Sequence, residues 1–260
     1  MQSYIERSRQ IRNLYMPPEN KEHFYGQFRI NFLQIRELFA ENRAYLNDEV
    51  FTPLKDIDAI SEEKAQELLE LSDHLAYTET LEMVDVRLAF FIVNALEPYY
   101  EKRGNREKYI HCLFRREMLA YNVGQIFDRG RLTDALAGRY RGCILACAEK
   151  ASVFLDDIDG FAALPDKTQT ELLTIELFRA TGYERPYYDE PLILRQIGSY
   201  QRYIRRLLDP EIRKAAPNIK WDKQLYSAYT YLMDVQEFLD WHETPDYILR
   251  MLDDAGDQAL

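Results

Sequence analysis

Glycine and proline are scarce in this chain, ten of each in 260 residues, while 47% of the side chains are hydrophobic. That balance excludes a collagen-like or low-complexity chain and argues for folded elements long enough to bury a substantial core. Cysteine is scarcer still. Three residues, Cys112, Cys143 and Cys147, form no disulfide framework and fit a reducing compartment, so a cytoplasmic location is expected. Long hydrophobic runs are also missing. The longest, Leu88 to Val93, falls far short of the roughly 18 residues of a membrane span, and no membrane partner is expected. Residues Met1 to Arg12 lack the apolar centre and small-residue cleavage site of a secretory signal. A basic excess is absent as well: 44 acidic against 33 basic side chains give a formal charge of −11, which repels a phosphate backbone and makes nucleic acid an unsuitable partner.

Catalytic patterning is equally sparse. His23, His74, His111 and His242 are scattered and read as incidental, and His242-Glu243 is not followed by a second His at zinc-protease spacing. Nothing resembles a strand-turn-helix nucleophile elbow. No segment alternates with period two between hairpin signals, so no sheet is assigned.

What fills the chain is helical periodicity. Phe24, Phe28, Phe32, Ile35, Leu38 and Phe39 predict a helix of about 25 residues, after a break at Met16-Pro17-Pro18-Glu19-Asn20 and before an interruption at Thr52-Pro53. Ser61-Glu62-Glu63-Lys64 supplies an N-cap with acidic groups in the first turn. The stripe Val84, Leu88, Phe91, Ile92, Ala95 and Tyr99 predicts a buried helix kinked by Pro98, with Phe91 in the core. Turns at Glu101 to Asn105 and Asp128 to Arg131 bracket a helix from Arg106 to Phe127, so three antiparallel helices are expected from Val84 to Leu155. Asp159-Gly160 is expected to stop the third, and further helices follow Pro165, Pro191, Trp221 and Pro245. The fold class is therefore all-α, roughly nine helices in antiparallel hairpins that form either a solenoid or an irregular bundle. Residues 1–80 are read as an N-terminal helical cap and 81–260 as the hairpin domain, or the two as one continuous domain.

The segments Ala95-Leu96-Glu97-Pro98-Tyr99-Tyr100-Glu101-Lys102-Arg103-Gly104-Asn105 and Tyr121 to Ala135 resemble tetratricopeptide helical hairpins. Gly104 follows Tyr100 by four and Ala135 follows Gly130 by five, as in that family, although Tyr109 stands where the first segment would carry a small residue. Glu97 to Lys108 is also similar to helical N-terminal regions of bacterial signalling proteins that continue into diguanylate cyclase or phosphodiesterase domains. The chain itself carries neither a Gly-Gly-Asp/Glu-Glu-Phe signature nor a His-Asp pair of the phosphohydrolase type. That resemblance implies a sensory or scaffolding part of a signal-transduction protein.

Four candidate sites remain. Asp156, Asp157 and Asp159 suggest the aspartate-rich, Mg²⁺-binding motif of isoprenoid synthases, yet the position four after the first is Gly160, and an acidic helix end is the simpler reading. Cys143 and Cys147 lie one turn apart, with His111 and Cys112 on the preceding helix, but they lack paired zinc spacing and read as core. Gly138, Gly142 and Ala146 line one face and are expected to let a neighbouring helix approach closely. Arg116 falls on the apolar stripe between Leu113 and Leu119. It is either an internal ion-pair member or, with Arg115, Tyr121, Arg139 and Tyr140, part of a clamp for an acidic peptide or ligand. The expected function is a non-catalytic protein-interaction or sensory module without metal or cofactor, regulating a partner or a fused output domain. The alternative is an all-α metal-dependent enzyme acting on a diphosphate.

Overall fold

The computed structural model describes residues 2–14, 24–76, 83–127, 134–185 and 187–260. Among these there is no strand, and the fold is all-α. The expected break at Met16 to Asn20 and the expected turn at Asp128 to Arg131 lie outside the described residues. The chain forms two compact units, Met1–Tyr99 and Tyr100–Leu260. Among the described residues no helix is long and apolar enough to cross a membrane.

In the first unit, α1 (Gln2–Leu14) packs on α2 (Phe24–Tyr45). Arg7 Nε donates to Asn42 Oδ1 at 2.7 Å and Tyr4 stacks on Tyr45 with ring centroids 5.5 Å apart. Thr52-Pro53 does not end the helical path, as the sequence suggested. The chain instead widens into a π-helical turn, Leu46–Phe51, which leads directly into α3 (Thr52–Lys55). Pro53 sits in the first turn of α3, and the wide turn before it buries Val50. Ser61 caps α4 (Glu62–Ala76) as expected, its Oγ accepting from Lys64 N at 3.2 Å. The next helix, α5 (Met83–Lys102), keeps Pro98 inside it. Of the stripe read in the sequence, Leu88, Ile92 and Tyr99 are buried and Val93 and Leu96 join them, whereas Phe91 is 47% exposed and makes an edge-type ring contact with Phe51 at 5.6 Å. The expectation that Phe91 is core is therefore wrong. A 3.6-residue repeat places neighbouring residues 100° apart, and both belong to an apolar run, so periodicity alone could not choose between them.

The second unit begins at a helix end closed by local chemistry. Gly104 adopts φ 66°, Asn105 N reaches Tyr100 O and Gly104 N reaches Glu101 O, both at 3.1 Å. This pair of bonds satisfies the last carbonyls of α5 and needs a residue without Cβ at the left-handed position. Asn105 then caps α6 (Arg106–Phe127), accepting from Lys108 N. The partner of α6 is α7 (Asp134–Asp156). Tyr109 meets Phe154 and Arg116 meets Cys143, so one index rises as the other falls and the pair is antiparallel. The helix α9 (Asp166–Phe178) runs antiparallel to α7 and parallel to α6, because Arg179 at its end reaches back to Ala148, while His111 pairs with Glu171 and Tyr121 with Phe178. Between α7 and α9 a short α8 (Ile158–Ala162) intervenes, so Gly160 does not stop α7 but lies within the next helix. The remaining layer is α10 (Glu190–Leu208) against α12 (Trp221–Asp240) and α13 (Asp246–Ala259), with α11 (Pro210–Ala215) on α8.

Of the line Gly138, Gly142 and Ala146, neither glycine makes the expected close approach to another helix among the described residues. A Cβ at either would meet nothing within 4 Å. Intimate contact on α7 occurs instead at Gly182, in the 3₁₀ turn Arg179–Tyr183, where a Cβ would lie 2.6 Å from the Leu145 side chain and 3.3 Å from Arg141 O. Gly182→Ala is expected to cost about 1–3 kcal/mol through overpacking. Gly142→Ala should stabilise by about 0.5–1 kcal/mol, because alanine gives up less backbone freedom in a helix. Urea denaturation of the two variants checks the contrast, and equal losses would show that α7 uses the Gly142 face.

Candidate functional site

A tyrosine-rich pocket forms within the second unit where four segments meet. From α6 comes Tyr121, from the turn and loop after α9 come Tyr183, Glu184, Arg185, Tyr187 and Asp189, and from α10 and α12 come Tyr200, Tyr231, Asp234 and Phe238. Its volume is about 70 Å³. That exceeds the ~10–15 Å³ one water needs and falls well short of the ~300–1,000 Å³ of pockets for drug-sized ligands, so it suits a side-chain-sized group. The walls are built by ordinary helix-end chemistry. Asp189 caps α10, accepting from Leu192 N at 3.2 Å, with Pro191 in the first turn, and Thr181 Oγ1 donates to Phe178 O at 2.7 Å.

The aromatic groups hold one another. Phe178 lies 4.6 Å from Tyr121 and 5.5 Å from Tyr231, ring centre to ring centre, and the Tyr121 and Tyr231 hydroxyls are hydrogen-bonded. Burial pushes the Tyr121, Tyr200 and Tyr231 hydroxyls above the ordinary phenol range. All three are therefore neutral near pH 7 and offer ring faces and hydrogen bonds rather than proton abstraction. Glu184, Asp189 and Asp234 outnumber Arg185 among the charged lining groups. Desolvation, and then the nearby Glu237, raises the Asp234 carboxyl above its usual range. Arg185 donates to the carbonyl oxygens of Gly182 and Glu184, and burial followed by the Arg141 charge lowers its pKa.

Of the five residues the sequence singled out, Tyr121 lines this pocket, and Arg115, Arg116, Arg139 and Tyr140 are not part of its lining. Arg115 is buried with its guanidinium beside the Phe114 ring, Arg116 is half-buried and donates from Nε to Cys143 Sγ at 3.2 Å, Arg139 is exposed and Tyr140 half-buried. The aspartates suggested as Mg²⁺ ligands each have a structural task. Asp156 pairs with Arg206 at 2.7 Å, Asp157 caps α8 by accepting from Gly160 N, and Asp159 stands in the first turn of α8. A Cβ on Gly160 would meet the Asp157 carboxyl at 2.2 Å, so the glycine there makes room for a cap. Among the described residues no group of three or more His, Cys, Asp or Glu side chains is placed to hold a metal ion.

Two buried polar clusters escaped the sequence reading. His111, read as incidental, makes a buried 2.8 Å contact with Glu171. Arg179 donates to Glu176, Ala148 O and Ser152 Oγ. Partners 60 residues apart, as in His111 and Glu171, leave no local trace, although charged residues on otherwise apolar helix faces were the available signal.

Comparisons of the chain with models of protein families, with curated proteins and with solved structures return no match.

Proposed function

We propose that this chain is a non-catalytic helical interaction module that receives a basic side chain of a partner protein in the tyrosine-lined pocket and so regulates that partner or an output domain fused to it. The observation that carries this reading is the convergence of Glu184, Asp189 and Asp234 with five tyrosines on one side-chain-sized pocket. Ring faces attract a cation electrostatically, and carboxylates gain from a neighbour of opposite sign. The occupant is thus basic, the opposite of the acidic peptide that the arginines of α6 and α7 suggested. A lysine ammonium with its terminal methylenes suits the space and the chemistry.

The test uses acetyl-lysine-amide blocked at its α-amino group, with a free ε-ammonium, beside the corresponding norleucine and glutamate compounds. Tyrosine fluorescence and NMR shifts should report binding of the lysine compound, and Asp234→Asn should weaken it roughly tenfold or more, as loss of a charge-assisted contact implies. The melting temperature should be unchanged, since Asp234 is exposed. Equal binding of the norleucine compound, or affinity indifferent to Asp234→Asn, would overturn the reading.

A further inference from the structure

Two exposed apolar features of the second unit stand in surroundings of opposite charge. The first is an open groove of about 380 Å³ where α5 turns into α6 beside the last turns of α7. Tyr100, Tyr109, Val153 and Phe154 line it together with the exposed Arg106 and Lys150. Val153 leaves 69% of its surface to solvent. Along this turn Lys102, Arg103, Arg106 and Lys108 outnumber Glu101 and Glu107, a local basic excess in a chain of formal charge −11. The second feature is Trp241, which closes α12 with 80% of its surface exposed. The exposed Asp240, Glu243 and Asp246 flank it in the chain, and residues 234–260 hold eight acids against one arginine, so most of the net charge resides there.

Helix direction keeps the two apart within one molecule. Asn218, just ahead of α12, donates to Asp166 at the start of α9 at 3.4 Å, and Tyr231 meets Phe178 at the end of α9. The helix α12 therefore runs parallel to α9 and to α6, and Trp241 lies ten residues beyond Tyr231. The groove sits at the start of α6, so at 1.5 Å per residue roughly 30 Å of helix separates it from Trp241. No side chain spans that distance. We propose that the groove receives a second copy of this chain: Trp241 of one molecule inserts among Tyr100, Tyr109, Val153 and Phe154 of the next, and Asp240, Glu243 and Asp246 face Arg106, Lys150 and the basic turn. The groove exceeds the ~300 Å³ at which pockets begin to enclose a small molecule, which is ample for an indole. Tryptophan is a preferred anchor in such contacts, and surroundings of opposite charge fix its orientation. Because knob and groove are different surfaces, each molecule gives one and receives one.

Sedimentation velocity of the intact protein is followed over roughly 1–300 µM, the range of weak to moderate contacts. The average mass should rise with concentration, and raising salt from ~0.05 to ~0.5 M should reverse the rise, as screening of opposed charges requires. Trp241→Ala and Val153→Glu should each raise the concentration of half-association at least about tenfold at an unchanged melting temperature, since both side chains are mostly exposed. Mixing the two variants should restore one contact, because the first keeps its groove and the second its tryptophan, and the mixture should sediment as a pair of one molecule of each. A parent protein that stays monomeric throughout, association indifferent to salt or to either substitution, or a mixture that stays monomeric would overturn the proposal.

Discussion

Arg179→Met is expected to lower the unfolding free energy by about 3–5 kcal/mol, because it strands a buried carboxylate. The guanidinium is only 9% exposed and Glu176 not at all. Both Nε and Nη2 donate to Glu176 Oε2, at 3.0 and 2.9 Å, and Nη2 also reaches Ala148 O at 2.7 Å and Ser152 Oγ at 3.1 Å. One side chain thus neutralises an acid on its own helix and satisfies acceptors on α7. Loss of the cation leaves Glu176 with no compensating charge and no exposed surface, which is the expensive half of any buried ion pair. The double variant Arg179→Met, Glu176→Leu should recover much of the loss, since apolar replacement of both partners removes the uncompensated charge. Urea denaturation of the parent, single and double variants checks this. A single variant within about 1 kcal/mol of the parent, the ordinary range of an exposed pair, would show that the site admits water.

Ile92→Ala should cost about 2–5 kcal/mol and Phe91→Ala only about 0.5–1.5 kcal/mol, although phenylalanine is the larger residue. Ile92 is fully enclosed, and its truncation leaves a cavity that the rest of α5 and its neighbours fill only partly. Phe91 gives half its surface to solvent and contributes an edge-on contact with Phe51, 71° between the ring planes. Chemical denaturation of the first unit's transition in the full chain reads the difference. Equal losses would place Phe91 in the core after all.

These two adjacent residues mark the limit of what periodicity resolves. A stripe identifies a helix and roughly its apolar face, and α6 begins and ends where the pattern placed it, while α12 begins at Trp221 as read. It does not fix rotation to within one residue when the face is wide. The same limit applies to glycine. Gly138 and Gly142 have helical spacing but open surroundings among the described residues, whereas Gly182 takes the close contact with Leu145. At the candidate pocket, Tyr121 was legible because it belongs to α6, but Tyr231 and Asp234 lie more than a hundred positions further along the chain, and nothing local links them.

By itself the sequence determined most of the helices and those of their ends that local caps set, but not the path through Thr52-Pro53 or the end of α7. Caps and turns depend on a few neighbouring residues, so Ser61, Gly104 and the proline-led helix starts carry their structural meaning in the chain order. The absence of period-two alternation likewise settled the all-α class. Only the tertiary structure decided which polar residues are buried together: His111 with Glu171, Arg179 with Glu176 and the α7 backbone, Arg116 with Cys143, and the tyrosines with the carboxylates of the pocket. The physical reason is range. Hydrogen bonding within a helix is satisfied over four residues, whereas burial and charge pairing depend on whichever helix face the rest of the chain brings within a few ångströms.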